Sequence, residues 1–169
     1  MPFKPEPPFS HGLTPATAIL LCNLGTPDAP TPTALRRYLA EFLSDHRVVE
    51  IPKAIWWLIL HGIILRVRPP KSAAKYAAIW TPEGSPLKAW TDKQAQLLQD
   101  WLDGHGHRVT VHYAMRYGNP SIASQLDALK AEGVTRVLIL PASPQSSATE
   151  TAPAAAGGDT GGDQRHTTP

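Results

Sequence analysis

The strongly apolar residues of this chain stop at Leu140, and this limits the folded part to what lies before it. From Pro141 to Pro169 the sequence contains no Val, Leu, Ile, Met, Phe, Tyr or Trp. A segment of this composition cannot bury enough apolar surface to offset the entropy of ordering it. We therefore predict a disordered tail over residues 146–169, a flexible proline-rich arm over residues 1–15, and one folded domain over residues 16–145.

Composition excludes several classes of function. The 16 basic and 14 acidic residues give a net charge of +2, which is too weak a field to predict a nucleic-acid partner. Cys22 is the single cysteine, so this chain alone cannot form an intramolecular disulfide or an iron–sulfur cluster. We expect a protein of the reducing cytoplasm.

The segment before Leu140 alternates between strand and helix patterns. Apolar runs or period-two alternation predict strands at 18–23, 109–115 and 134–140. Helical spacing predicts a helix that starts at Thr31 and Pro32, a second over 87–102, and a third from Asn119 and Pro120 to a left-handed cap at Gly133. This order predicts an α/β fold in which right-handed crossovers form a doubly wound parallel sheet.

Three predicted loops fall just past strand ends, at residues 24–27, 116–120 and 141–145. In open α/β sheets, ligands bind in the crevice outside the carboxyl ends of the strands. The pattern therefore predicts that these loops share one site, although it fits ordinary turns equally well.

The most hydrophobic segment is Ile51 to Leu65, which holds Trp56 and Trp57 and is followed by a basic cluster. It is shorter than the roughly 20 apolar residues that a membrane-spanning helix needs. Aromatic residues beside basic ones favour the headgroup region of a bilayer. The segment is predicted either to lie at the lip of a pocket in peripheral contact with the inner membrane, or to be a helix buried by partner segments.

Five motifs, in this order and spacing, resemble the ferrochelatase family: residues 23–30 (NLGTPDAP), 36–45 (RRYLAEFLSD), 47–52 (RVVEIP), 80–87 (WTPEGSPL) and 114–120 (AMRYGNP). The resemblance runs from about Thr17 to Pro144 and corresponds to the N-terminal half of a bacterial member. It implies a chelatase-like fold, one of two Rossmann-like lobes. It also implies the insertion of Fe²⁺ into protoporphyrin IX to form protohaem, with porphyrin as the partner and no resident cofactor in this chain.

The resemblance also implies a set of porphyrin-binding residues. Arg68, Lys71 and Ser85 match positions that face the two propionates, where a planar guanidinium suits a carboxylate. The other matching positions line the ring pocket: Leu24, Gly25, Thr26, Pro27, Arg116 and Tyr117. Some relatives carry Tyr or Met at the position of Leu24, near the metal side of the ring. Leu24 can only pack there, so we assign it no ligand role. For Arg116 the alternative is that it holds a loop or pairs with an acid.

The sequence departs from the family pattern at its end. In the segment PASPQSS, Ser143 and Ser146 stand where the family's corresponding motif carries two tyrosines. The family's metal-handling histidine and its partner glutamate lie in the C-terminal half of its members, which has no counterpart in this sequence. We therefore assign no catalytic and no metal-binding residue.

We therefore expect a truncated or frame-shifted coding sequence, whose product is inactive alone. Two alternatives stay open: a noncatalytic fragment that binds porphyrin or a membrane surface, and a metal-chelatase for another tetrapyrrole.

Overall fold

A computed structural model describes residues 15–142. The elements are β1 Ala16–Thr26, α1 Pro32–Ser44, α2 Lys53–Ile59, a π-helical turn Leu60–Ile64, α3 Leu65–Ile79, α4 Pro86–Gly104, β2 Val109–Gly118, α5 Ile122–Ala131 and β3 Val134–Pro141. The predicted order of strands and helices is confirmed. The tail predicted over 146–169 and nearly all of the arm predicted over 1–15 lie outside the described residues, and the domain boundaries stay predictions.

The three strands form one parallel sheet in the order β2-β1-β3. β1 pairs with β2 from Thr17 to Thr26 and with β3 from Ala16 to Cys22. The chain thus moves from β1 to one side and then crosses back to the other side, so the central strand is the switch point. This confirms the predicted doubly wound α/β sheet.

Helices cover both faces of the sheet. On one face, Ile122 of α5 packs with Leu20, Cys22 and Ala114. On the other face, Tyr117 packs with a cluster from α1 and from the segment after it, namely Tyr38, Leu39, Leu43, Leu60 and Leu65. Ala114 and Tyr117 point to opposite faces because successive side chains of a strand alternate.

Side-chain caps start the helices close to the predicted positions. The Thr31 hydroxyl accepts a hydrogen bond from the N–H of Ala34, and Pro32 occupies the first turn of α1, as predicted. The start of α5 was predicted two residues early, because Ser121 rather than Asn119 caps it. Gly133 has a φ of +79°, which confirms the predicted left-handed residue.

Helix α3 was not predicted, because Pro69 and Pro70 lie inside it. A proline inside a helix removes a hydrogen bond and costs about 3 kcal/mol. Here Leu65, Pro69 and Ala73 recur every four residues and are all buried, and α3 packs against α1. This buried face outweighs the local preference against a helix.

The side chain of Gln99 closes one edge of the sheet. Helix α4 packs across β2 and β1. The amide of Gln99 donates to the carbonyl of Val109 at 3.0 Å and accepts from the N–H of Val111 at 2.7 Å. These backbone groups belong to the outer edge of β2, where an unpaired strand would otherwise present free donors and acceptors.

Candidate functional site

The carboxyl ends of β1 and β2 approach each other closely at two glycines. Gly25 has a φ of +116°, and a Cβ on it would overlap the carbonyl oxygen of Tyr117. Gly118 has a φ of +88°, and a Cβ on it would lie 2.6 Å from the carbonyl oxygen of Thr26. The strands therefore hold this edge at a spacing that only glycine allows.

The predicted loops begin later than expected, and this corrects the sequence analysis. Strand β1 continues through Thr26, β2 through Gly118 and β3 through Pro141. Residues 24–26 and 116–118 belong to strands, in which Gly25 lies opposite Tyr117 and Thr26 opposite Gly118. Their positions are consequently fixed by the sheet.

Asp45, directly after α1, is the centre of a polar network at this edge. Its carboxylate accepts hydrogen bonds from the Arg116 guanidinium at 2.8 Å and from the Tyr117 hydroxyl at 2.9 Å. The N–H of Arg47 binds the other carboxylate oxygen at 2.9 Å. The network ties the end of β2 to the end of α1.

Burial and these donors act in opposite directions on Asp45. Burial alone would raise the pKa of this carboxyl. The N–H of Arg47, the Tyr117 hydroxyl and the Arg116 guanidinium outweigh it and hold the pKa below its ordinary value. Burial, together with the hydrogen bond to Asp45, raises the pKa of Tyr117 to about 12, so its hydroxyl stays protonated and donates.

An open cavity of about 470 Å³ lies beside the network. It is lined by the end of α1, by the Asp45–Arg47 turn, and by Arg116 and Tyr117. The Nε of Arg116 is buried and has no hydrogen-bond partner in the described part of the chain. Arg116 thus pairs with an acid and also lines an open cavity, and its contact with a porphyrin stays a prediction.

The predicted residues at the end of β1 and directly after it lie next to α1, the helix whose end lines the cavity. The carbonyl of Gly25 accepts a hydrogen bond from the Tyr38 hydroxyl at 3.2 Å. Leu24 packs against the same apolar cluster as Tyr38. Thr26 and Pro27 are buried. These four residues lie outside the lining of the cavity, and their contact with a porphyrin stays a prediction.

The three predicted propionate contacts have different environments. Arg68 and Lys71 are exposed, and their spacing places both on one face of α3. Ser85 is only 2% exposed, and its hydroxyl caps α4 by accepting from the N–H of Lys88 at 3.3 Å. The two cations are thus available to a ligand, whereas the Ser85 hydroxyl is engaged in the fold.

The apolar segment Ile51–Leu65 is helical from Lys53 onward, and one side of it faces the surface while Leu60 and Leu65 are buried. Trp56 anchors it, because its indole N–H donates to the carbonyl of Leu43 at 2.6 Å. Its outer side carries exposed apolar residues, among which Leu58 is 65% exposed; the others are Ile51, Ile55, Trp57 and Ile63. No described element covers this outer side, and both the contact with a membrane and the burial by partner segments stay predictions.

Two further observations concern metals and membranes. Between residues 15 and 142, no three side chains of His, Cys, Asp or Glu come together as metal ligands. Over the same range, no helix combines the length and apolarity needed to cross a bilayer.

Sequence reasoning missed several residues that build the site. Asp45 lies within a quoted motif, but no role was assigned to it. Glu41 accepts from the N–H of Gly118 at 3.0 Å, and Asp28 accepts from the Asn119 amide at 3.0 Å. An available signal was the group of acids directly after β1 and at the end of α1, since these positions lie at the carboxyl edge of a parallel sheet.

These features define an α/β protein with an open cavity at the carboxyl ends of its parallel strands. Residues 16–156 match the ferrochelatase family profile, which extends beyond the predicted limit of the resemblance at Pro144. The chain belongs to the ferrochelatase family.

Individual relatives agree with this assignment. The chain is 74% identical over 156 residues to a ferrochelatase of Polaromonas sp. strain JS666, which covers 90% of this chain and 42% of that protein. It is 66% identical over 152 residues to a ferrochelatase of Methylibium petroleiphilum and 62% over 150 residues to one of Dechloromonas aromatica. The chain therefore spans about two fifths of the length of these relatives, at their N-terminal end.

Proposed function

We propose that this chain supplies one wall of a ferrochelatase porphyrin site and takes part in Fe²⁺ insertion into protoporphyrin IX only together with the rest of a ferrochelatase polypeptide. The proposal is supported above all by the match of residues 16–156 to the ferrochelatase family, because this range includes the carboxyl ends of all three strands. The match to this family also leaves the alternative of another tetrapyrrole chelatase without support.

Each part of the wall has a physical role in this proposal. Arg68 and Lys71 provide cations for the two propionates of the ring. Arg116 and Tyr117, fixed by Asp45, provide a rigid polar rim beside an open cavity. A rigid wall helps metalation only if it fits a bent macrocycle better than a flat one.

Fe²⁺ and protoporphyrin IX enter this proposal as substrates, with no resident cofactor and no iron–sulfur cluster in the chain. Proton acceptance from the pyrrole nitrogens is assigned to the histidine and glutamate that the family carries outside the matched region. The chain alone is therefore expected to bind porphyrin without metalating it.

The purified 169-residue chain should quench protoporphyrin fluorescence or shift its absorbance on binding. We expect Arg68→Ala combined with Lys71→Ala to weaken binding about tenfold, because two charge-assisted contacts of roughly 0.7 kcal/mol each are removed. Zinc insertion by the chain should not exceed the spontaneous rate.

Two controls isolate the propionate contacts. Lys75→Ala, one turn further along α3, should leave binding unchanged. A porphyrin whose propionates are esterified should bind the chain and the double variant equally. Zinc insertion by this chain at an enzymatic rate would contradict the proposal that it binds porphyrin without metalating it. Equal protoporphyrin binding by the unaltered chain and the double variant would contradict the proposal that Arg68 and Lys71 bind the propionates.

We also propose that the apolar segment Ile51–Leu65 contacts a membrane surface, which would make the protein a cytoplasmic one peripheral to the inner membrane. The observation that favours this is the exposed apolar side of α2 and the π-helical turn, followed by Arg66, Arg68 and Lys71. Apolar residues beside cations match the interface of an anionic bilayer.

Cosedimentation with vesicles that contain anionic lipid tests this contact. Leu58→Glu should lower the partition coefficient at least tenfold, because it places a carboxylate at the apolar face. Leu97→Glu, on the exposed side of α4, should leave it unchanged. Equal partition of both variants and of the unaltered chain would refute the contact.

A further inference from the structure

An indole near the end of α4 lies against two imidazoles. The ring of His105 stacks on the indole of Trp101, with ring centroids 4.1 Å apart and 27° between the ring planes. The ring of His107 lies beside the same indole, with centroids 6.3 Å apart and 23° between the planes. All three side chains are exposed. We call this group the Trp101 cluster, and the proposed porphyrin site uses none of its residues.

A hydrogen bond determines which nitrogen of His105 can bind a ligand. Its Nδ1 lies 2.7 Å from the carbonyl oxygen of Trp101. A carbonyl oxygen only accepts, so Nδ1 carries the proton and Nε2 of the neutral ring keeps its lone pair. Histidines that bind metals almost always donate their other ring N–H in this way, which fixes the ring and makes it a more basic ligand. His105 is therefore oriented as a ligand that binds through Nε2.

The turn after α4 brings the second imidazole back to the helix. Gly106 has a φ of +75°, which reverses the direction of the chain. Its N–H donates to the carbonyl of Asp103, and the N–H of His107 donates to the carbonyl of Leu102, both at 3.0 Å. In this type of helix end, a left-handed glycine folds the next residue against the last turn. The two imidazoles consequently flank one glycine and lie at one indole.

The chain contains a matched arrangement that lacks the second imidazole. His61 stacks on Trp57 with ring centroids 4.8 Å apart, and its Nδ1 lies 3.1 Å from the carbonyl oxygen of Trp57. Both pairs have the same four-residue spacing, and both histidines precede a glycine. Ile63 then stands at the position that corresponds to His107. The two arrangements thus differ in the number of imidazoles that they offer.

We propose that the Trp101 cluster binds one divalent transition-metal ion, with His105 and His107 as its protein ligands and water in the other positions. Imidazole suits Zn²⁺, Cu²⁺ and Ni²⁺. The ion binds Nε2 of His105 at the usual Zn–N distance of about 2.0–2.1 Å. Rotation of the exposed His107 side chain about its own bonds brings the second imidazole to the same ion.

The cluster supplies two protein ligands and does not enclose the ion. Asp103, the acid nearest in sequence, already accepts from the Gln99 amide at 3.0 Å. Within residues 15–142, no three side chains of His, Cys, Asp or Glu come together as ligands. The ion therefore keeps positions that are open to water, which distinguishes this site from a closed structural zinc site.

The site is remote from the proposed porphyrin site. The cluster directly precedes the amino end of β2, whereas Arg116 and Tyr117 lie near its carboxyl end. The strand has 10 residues, so its two ends are roughly 30 Å apart at about 3.3 Å per residue. An ion at the cluster is consequently not the ion that a porphyrin would receive. The inference goes beyond the proposed function and does not depend on it.

Thermal unfolding of the purified 169-residue chain with and without Ni²⁺ tests the proposal. An ion that binds the folded state raises the midpoint of unfolding, and we expect a rise of about 3 °C or more at saturating Ni²⁺ that a chelator reverses. His105→Ala and His107→Ala should each remove most of this rise, whereas His61→Ala should keep it. Each variant is compared with itself without metal, so a merely structural role of His105 would lower its baseline and leave its response to Ni²⁺ unchanged.

Equilibrium dialysis measures the bound ion directly and does not depend on unfolding. We expect one ion per chain, with Cu²⁺ bound more tightly than Ni²⁺ or Zn²⁺. His105→Ala and His107→Ala should each weaken Ni²⁺ binding at least tenfold, because a single imidazole remains. The proposal is overturned if neither measurement detects a bound ion, if His61→Ala loses as much as the cluster variants, or if only one of the two cluster histidines affects binding.

Discussion

Gly25→Ala should prevent the chain from folding. The new Cβ would overlap the carbonyl oxygen of Tyr117, which is backbone of the adjacent strand and cannot rotate away. The central strand would have to separate from β2 at the edge where Asp45 joins α1 to β2. We expect a loss above about 4–5 kcal/mol, which is comparable with the whole stability of a small domain. Soluble yield and far-ultraviolet circular dichroism measure the outcome.

Gly84→Ala is the matched control, because it separates backbone strain from overlap. Gly84 has a φ of +111°, close to that of Gly25, but nothing lies within 4 Å of its Cβ position. Its substitution should cost only about 1–2 kcal/mol for the left-handed conformation. Similar losses at the two glycines would show that overlap with Tyr117 is not the cause.

Asp45→Asn should lower the free energy of unfolding by about 2–3 kcal/mol, as expected for hydrogen bonds to a charged group. The substitution removes the negative charge that faces the partly buried Arg116, and it leaves one oxygen to serve three donors. Chemical denaturation at neutral pH measures the difference. Asp28→Asn is the control, since Asp28 also accepts from a neighbouring loop but is exposed, and its loss should stay below about 1 kcal/mol.

We also predict how the stability difference between the unaltered chain and Asp45→Asn depends on pH. The folded-state pKa of Asp45 lies below its ordinary value of 3.8. The stabilisation that the ionised Asp45 provides is therefore complete above pH 3.8, and it is lost as the pH falls through the lower pKa of the folded state. The stability difference between the unaltered chain and Asp45→Asn should stay constant from neutral pH down to about 5 and shrink below about 4. A constant difference down to pH about 2 would contradict the ionised role of Asp45.

The order of elements could be predicted because each pattern had a local physical cause. Thr31 and Pro32 are a cap and a first-turn residue regardless of context, and the apolar run at 18–23 is typical of a strand buried on both faces. Helix α3 could not be predicted in this way, since Pro69 and Pro70 argue against it locally. Its buried stripe becomes evident only once α1 is in place.

The candidate site was predictable as a location but not as a network. Parallel strands place their carboxyl ends at one edge, so the grouping of residues 24–27 with 116–120 followed from the fold class. The partners of Arg116 did not, because Asp45 is 71 positions away and reaches it through the packing of α1 on the sheet. The burial of Ser85 depends in the same way on tertiary packing.

The glutamine that caps the outer backbone of β2 has a consequence for how larger assemblies are built from this lobe. A further strand could pair with the outer edge of β2 only if the Gln99 side chain first released its hydrogen bonds to Val109 and Val111. Extension of the sheet is therefore favoured at its other edge, next to β3. Among the described strands, the sheet therefore has one border that is open to extension, and this border is β3.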